Sequence, residues 1–389
     1  MVNPIKVLHI ITQLDCGGSA ENTLHTALRL SPEKYAVTLL CGVSDNPPSQ
    51  QEKKAVERGI AIIRSQLLVR RIHPVFDLLA LVALWFHLIR NRYEIIHTHT
   101  SKAGIIGRVA ALLAGVRVSI HTPHGHVFYG YFGTVLTKIF IFLEQAVMLF
   151  THTLITLTNQ EKQDYLDHHI GPAKKIVTVF SGIPMEPFLH PSKNRMQMRQ
   201  ELGLSSTAFV AGCVARLVPI KNHSLIIDAV ALLGDAIPGL CFVLIGDGQL
   251  RTELETKIAQ RNLQPRFKFV GWRNDIADCM QAFDVFVLCS KNEGMGRVFV
   301  EAQAAGIPAI GSRVCGIPEV IDDGKTGYLI NSGDAHDLSA KIKLLYARPD
   351  RTTIMKQDCV RFVNPTFSVE NMIKAIETVY DRSQNEKPL

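Results

Sequence analysis

Two doubly wound α/β domains in tandem are what this sequence of 389 residues predicts. Three observations lead there. Short apolar runs of strand length alternate with stretches of helical apolar spacing, the pattern of a parallel sheet covered on both faces. The first run, Lys6–Ile11, opens onto the turn Asp15-Cys16-Gly17-Gly18 before a helical stretch begins. The alternation breaks around Gly182-Ile183-Pro184 and from Pro187 to Pro191, then restarts, which places a linker there. The expected boundaries are residues 1–182, 183–365 and a C-terminal helix in 366–389.

Taken in order, Lys6–Ile11 is the first strand and Ala20–Leu30 has helical spacing. Tyr35–Gly42 and Ile60–Arg64 read as further buried strands, and Pro74–Asn91 as a helix leading to the strand Ile95–His97. Val116–His121 repeats the strand pattern, Leu136–Phe150 the helix and Leu154–Leu157 the strand. Beyond the linker, Phe209–Val214, Cys241–Ile245, Phe267–Val270, Val285–Cys289 and Ala309–Gly311 are strands separated by helical stretches, and Phe367–Arg382 closes the chain as a helix. In such sheets ligands bind outside the carboxyl ends of the strands, so the residues just after each strand matter most.

Composition narrows the function classes. Apolar residues make up 47% and charged residues 20%, below the roughly 25% charged of an average globular chain, which excludes disorder. The net charge of +7 is uneven: residues 1–180 hold 18 basic and 12 acidic side chains and 12 of the 15 histidines, while 181–389 hold 24 and 23. A basic first half can attract anionic substrates or an anionic membrane face. No Lys/Arg-rich run or basic-aromatic motif appears, so nucleic acid is not an expected partner. Eight cysteines without a Cys-x-x-Cys pair read as reduced thiols of a cytoplasmic protein. The first fifteen residues read as a strand rather than a leader. The longest uncharged apolar run, Leu78–Ile89, has 12 residues, short of the roughly 18–20 needed to span a bilayer, so no membrane crossing is expected.

Several motifs fail. Gly324-Lys325-Thr326 would end a phosphate-binding loop but Glu319 stands where glycine is required. Gly246-Asp247-Gly248 begins a dinucleotide fingerprint that Arg251 breaks, and Gly17-Gly18-Ser19 lacks the closing glycine of a nucleophile elbow because position 21 is Glu21. His97-Thr98-His99 and His121-x-x-His124-x-His126 have the spacing of metal ligands. No carboxylate lies beside them in sequence, and the two strand histidines are expected to point to opposite faces, so no metal is expected. The bland reading is hydrogen-bonded strand-end histidines.

The segment Val285–Ile321 is the most informative. An apolar strand ends at Cys289, a polar loop carries Glu293, a Gly294-Met295-Gly296 turn follows, and Glu301 lies within the next helix. The glycines let the backbone approach a ligand closely, and helix-start amides from Met295 to Val298 can point at an anion, which suits a diphosphate. Cations must then come from elsewhere. Arg216 and Lys221, directly after the strand Phe209–Val214, supply them and can stabilise charge that grows on a departing nucleotide.

The runs ARLVPIKN, VLIGDG, GWRND, SKNEGMGRVFVEAQAAGIPAI and CGIPEVIDDGKTGYLI, with HTHTSKAGIIGRVAA and HTPHGHVF in the first half, resemble the retaining glycosyltransferases of family 4, in the family's order over nearly the whole chain. The resemblance implies a GT-B fold, two Rossmann-like domains facing each other across a cleft. Residues 1–182 would then bind the acceptor and 183–365 the nucleotide sugar, with the last helix crossing back and the 182–191 linker as hinge. It implies that Glu293 bonds donor-sugar hydroxyls, Glu301 the ribose, and Arg216 with Lys221 the diphosphate. Gly17 and Gly18 would close over phosphates and sugar, His124 would face the donor sugar, and the amides of Gly294, Met295, Gly296, Arg297 and Val298 would complete the cradle. Each position has a plainer alternative as a surface charge, simple turn or structural histidine. Arg297, where many relatives carry an aliphatic residue, is a departure that fits either a phosphate contact or a surface pair.

The implied reaction is transfer of a sugar from a nucleoside diphosphate sugar to an acceptor hydroxyl with retention, in cell-surface polysaccharide or glycolipid synthesis, with no metal and no other cofactor. Leu78–Ile89 and Val127–Phe142, with Phe128, Tyr129, Tyr131, Phe132, Phe140 and Phe142, are more apolar than a soluble acceptor needs. That suits peripheral contact with the inner face of the cytoplasmic membrane and a lipid-linked acceptor, against a reading of both stretches as buried helices. The competing functions are a nucleotide-sugar 2-epimerase on the same scaffold and a metal-dependent hydrolase using the N-terminal histidines.

Overall fold

The computed structural model describes residues 3–14, 17–44, 48–125, 128 and 133–385. It divides into two compact units, Met1–Gly182 with Val369–Leu389, and Ile183–Ser368.

In the first unit, β1 (Ile5–Ile11), β2 (Tyr35–Gly42), β3 (Ala61–Ser65), β4 (Ile95–His99), β5 (Val118–Thr122), β6 (Thr153–Thr156) and β7 (Ile176–Thr178) form one sheet in the order β3-β2-β1-β4-β5-β6-β7. Every neighbouring pair is parallel. Strand alternation sends Val7, Ile95, Val118 and Ile120 to one face, where Val369, Met372, Ile373, Ile376, Val379 and Tyr380 of the helix Val369–Asn385 cover them. Leu8, Ile10 and Ile96 face the other way, onto Ala80, Leu84 and Leu88 of the helix Pro74–Asn91 and Ala103, Ile106 and Ala110 of the helix Ser101–Leu113.

The second unit repeats the plan. β8 (Phe209–Val214), β9 (Leu240–Ile245), β10 (Phe267–Gly271), β11 (Val285–Leu288), β12 (Ala309–Ser312) and β13 (Gly327–Ile330) lie in the order β10-β9-β8-β11-β12-β13. In both sheets the strand order reverses beside the first strand, between β1 and β4 and between β8 and β11. The crevice at such a reversal is where doubly wound sheets take ligands.

Two short strands, Ile176–Thr178 and Gly327–Ile330, were not anticipated. A larger correction concerns the helix Pro74–Asn91. Its 18 residues are long and apolar enough, by length and composition, to cross a membrane. The uncharged run of 12 understated this because the helix continues through Asp77 and Arg90 at either end. Pro74 at its first turn and the His73 ring, which accepts from the Phe76 amide, start it, and Arg92 in the left-handed region ends it.

Nor is this helix buried. Only Ala80, Leu84 and Leu88 are, whereas Val75, Phe76, Leu78, Leu79, Val82, Phe86 and Ile89 are exposed. Leu112 and Leu113 on the next helix, and Val135, Ile139 and Phe142 on the helix Thr134–Met148, are exposed too. Phe128 instead sits in the core against Tyr165 and His168. Tyr129, Tyr131 and Phe132 lie outside the described residues.

Candidate active site

The site residues of the second unit come from loops at the carboxyl ends of β8 and β11, at its reversal point. The loop after β8 is packed down by backbone alone. Ala215 N–H donates to the Ile245 carbonyl and Leu217 N–H to that of Asp247. A Cβ on Gly246 would lie 2.1 Å from the Ala215 carbonyl oxygen, and one on Gly248 would lie 2.5 Å from that of Leu217. The glycines that suggested a dinucleotide fingerprint thus serve this close approach.

Farther along, Lys291 N–H donates to the Ile220 carbonyl at 2.8 Å, stitching the two loops together. That brings Lys221 and Glu293 into an ion pair with each side chain 17% exposed. The Ser290 hydroxyl, fully buried, donates to the same Glu293 oxygen at 3.0 Å. Arg216 stands on the same loop as Lys221, exposed, with no ion pair among the described residues.

Gly296 caps the helix Arg297–Ala304 with φ 77°, a conformation that favours glycine, and a Cβ there would lie 2.7 Å from the Phe299 ring. Gly294 is half-buried and Met295 buried before it; Arg297 and Val298 follow half-buried in the first turn, and Glu301 stands half-buried one turn on. The helix start presents backbone amides and a positive dipole end, with no carboxylate in its first turn. Ser290 went unrecognised in the sequence, although its place directly after the apolar run ending at Cys289 is a usable signal.

In the first unit, Gly17 caps the helix Gly18–Arg29 and both glycines are exposed. Nothing lies within 4 Å of where a Gly17 Cβ would stand, so packing within this unit does not demand glycine there. His124 is half-buried and held at φ 60°, in the left-handed region. The following amide, Gly125 N–H, donates to Glu161 Oε1 at 3.0 Å, and buried Glu161 also accepts from Leu157 N–H at 2.6 Å. Glu161 thereby clamps the loop that carries His124. His126 lies outside the described residues.

The expectation that His97 and His99 point to opposite faces is overturned. Residues two apart on a strand share a face, and their ring centroids are 4.3 Å apart. The β1–β4 register sets His9 opposite His97, on that same face. His9, His97 and His99 are buried, with one ring nitrogen of each within 4.8 Å of the others. Burial pulls His9 down to about 3 and holds His97 and His99 well below the usual histidine range, so all three are neutral. His9 Nδ1 and His99 Nε2 aim at each other at 2.9 Å, as hydrogen-bond partners do, instead of both aiming at one ion. His121 occupies the opposite face. Its Nδ1 lies 2.9 Å from the Thr98 hydroxyl, and a Cβ on Gly104 would fall 2.3 Å from its ring.

Two parallel sheets wound in this order, with a Lys–Glu pair and a helix start at the reversal of the second, define a GT-B scaffold. Solved structures of Anabaena HepE, one with UDP and glucose, share it: TM-score 0.84, 20% identity, covering 97% of this chain and 100% of that one. WaaG, a glycosyltransferase of lipopolysaccharide biosynthesis, superposes with TM-score 0.76 at 15% identity over 96% and 99% of the two chains. Residues 194–359 match the family Glycosyl transferases group 1, and residues 17–182 match the Glycosyl transferase 4-like domain. An Escherichia coli UDP-Gal:α-D-GlcNAc-diphosphoundecaprenol α-1,3-galactosyltransferase is 30% identical over 382 residues, 97% of this chain and 96% of that protein.

The chain belongs to the group 1 glycosyltransferases of the family 4 type. It is a hexosyltransferase-type enzyme with a nucleotide-sugar donor. The epimerase and hydrolase readings are not favoured, since the family is one of transferases.

Proposed function

We propose that this enzyme transfers a hexose from a UDP-sugar, with retention and without a metal, to a lipid-linked saccharide on the inner face of the cytoplasmic membrane. The observation that carries the donor half is the Lys221–Glu293 pair beside the Gly296 helix start. A diphosphate arriving at those amides takes Lys221 and Arg216 as its cations, which frees the Glu293 carboxylate for sugar hydroxyls, while Glu301 takes the ribose. Arg297 in the first turn opposes the helix dipole, and a bound phosphate turns that repulsion into attraction. His124 acts on the transferring sugar, and Gly17 and Gly18 cover it. The leaving phosphate, held by cations, accepts the acceptor proton on the face it departs from.

Two observations support a lipid-linked acceptor. The E. coli relative's name specifies a diphosphoundecaprenol-linked sugar. The exposed apolar face of the helix Pro74–Asn91 belongs to a basic half of the chain. Its opposite face is packed into the core through Ala80, Leu84 and Leu88, which a spanning helix would have to give up, so lying in the interface suits it better than crossing.

The test is to incubate the enzyme with UDP-hexoses and polyprenyl-diphosphate-linked N-acetylglucosamine in the presence of chelator, then assign the product anomer by NMR. An α-linked disaccharide from an α-linked donor is expected. An inverted linkage, or strict dependence on added divalent metal, refutes the reading.

A further inference from the structure

A chain of buried imidazoles leads from the interior of the first unit to His124. The Tyr380 hydroxyl lies 2.8 Å from His97 Nδ1 and 3.3 Å from His9 Nε2. His9 Nδ1 is 2.9 Å from His99 Nε2, and His99 Nδ1 is 2.9 Å from His124 Nε2. At the far end, His97 Nε2 is 2.8 Å from the Thr122 hydroxyl. Each ring nitrogen named is used once.

A neutral imidazole has one N–H donor and one acceptor nitrogen, so in such a chain the direction of one bond dictates all the others. Two arrangements satisfy it. In one, Thr122 donates to His97, His97 to Tyr380, Tyr380 to His9, His9 to His99 and His99 to His124, which leaves the His124 proton on Nδ1. In the other every bond reverses and the His124 proton sits on Nε2. The tautomer of the half-buried histidine is thus coupled, bond by bond, to Tyr380 and Thr122 in the interior of the unit.

From this geometry we propose that His9, His99 and Tyr380 are positioning residues, a relay that fixes the ring orientation and tautomer of His124 during transfer. The placement argues against mere packing. Valine or isoleucine fills a central strand of a parallel sheet without desolvating polar atoms, yet β1 and β4 carry histidine at three adjoining buried sites. The partner that completes their bonding, Tyr380, comes from the last helix, 283 residues beyond His97. The inference rests on the proposal that His124 acts on the donor sugar.

The experiment combines ¹⁵N imidazole NMR of the wild-type protein with steady-state kinetics of His124→Ala, His99→Leu, His99→Asn and Tyr380→Phe. One predominant His124 tautomer is expected in the wild type, and a mixture in Tyr380→Phe, which removes a single oxygen. Tyr380→Phe and His99→Leu should lower kcat about 10-fold to 100-fold, the size of effect that partners behind a functional ring carry, with little change in donor KM. His99→Asn, whose amide can stand near Nδ1, should recover part of the loss. Adding His99→Leu to His124→Ala should cost nothing further. Equal tautomer populations in the wild type overturn the relay, as does a kcat within twofold of wild type for folded Tyr380→Phe when His124→Ala is impaired. A stoichiometric metal ion bound by His9, His97 and His99 also overturns it. A fully active His124→Ala would instead remove the role of His124 itself.

Discussion

Acidification from pH 7.5 to 5.5 should cost the first unit about 5 kcal/mol of stability, a large share of the roughly 5–15 kcal/mol that holds a domain together. His9, His97, His99 and His121 are fully buried, and burial holds all four below the usual histidine range, His9 down to about 3. Unfolded, each titrates near 6.5. Below that value the unfolded chain binds protons that the folded unit refuses, so stability present above pH 6.5 drains away as the pH falls toward the folded values. Each such histidine costs somewhat more than about 1 kcal/mol at pH 5.5 and almost nothing at pH 7.5, on the order of 5 kcal/mol for the four together. The second unit has one comparable residue, His223, lowered to about 4 by burial, and should lose only about a quarter as much. The assay is urea unfolding followed by tryptophan fluorescence. Of the two tryptophans, Trp85 lies in the first unit and Trp272 in the second, so Trp272→Phe isolates the first unit's transition. A first-unit free energy that moves by less than about 1 kcal/mol between the two pH values would show that these rings are not neutral and buried together.

Three further outcomes are expected. Lys221→Ala and Glu293→Ala should each lower turnover about 10²-fold or more, the range lost when a charge-stabilising group is removed from such a site, as measured by product formation at saturating donor. Arg108 pairs with Glu144 through two bonds of 2.9 and 2.8 Å, both side chains being buried; Arg108→Ala strands the carboxylate and should cost about 3–5 kcal/mol in chemical denaturation, whereas Arg108→Met with Glu144→Leu should cost far less. Phe86→Glu with Leu79→Glu should abolish sedimentation with anionic liposomes while leaving the fold intact, and unchanged sedimentation would discard the exposed face of the helix Pro74–Asn91 as the membrane contact.

Much of the fold was legible because it is periodic. Tyr35–Gly42, Pro74–Asn91 and Phe209–Val214 have the bounds that apolar spacing and flanking turns indicate. Ile176–Thr178 and Gly327–Ile330 escaped, whereas the equally short Val285–Leu288 and Ala309–Ser312 were legible as apolar runs. At the site, Glu293, Arg216 and Lys221 stood out as charges in the loops that follow strands, where a sheet offers backbone ends to a ligand, and Glu301 as a carboxylate in the helix after the glycine turn. Their pairing was not legible: Lys221 and Glu293 are 72 positions apart and meet only because the Lys291 amide reaches the Ile220 carbonyl. The histidines failed for a different reason. His97 and His99 were expected on opposite faces although strand parity puts them on one, and the neighbours that make them a network, His9 and Tyr380, are set by the β1–β4 register and by how the last helix packs. The exposure of the helix Pro74–Asn91 was hidden as well, because an all-round apolar helix reads the same in a core as at a lipid surface.

The most direct measurement is a crystal structure with an intact donor or UDP bound. The account predicts the diphosphate on the amides of Gly294–Val298, with Lys221 and Arg216 on its oxygens, the Lys221–Glu293 pair opened, Glu293 on the sugar and Glu301 on the ribose. A diphosphate bound elsewhere, or one seated there with Lys221 still paired to Glu293, contradicts it.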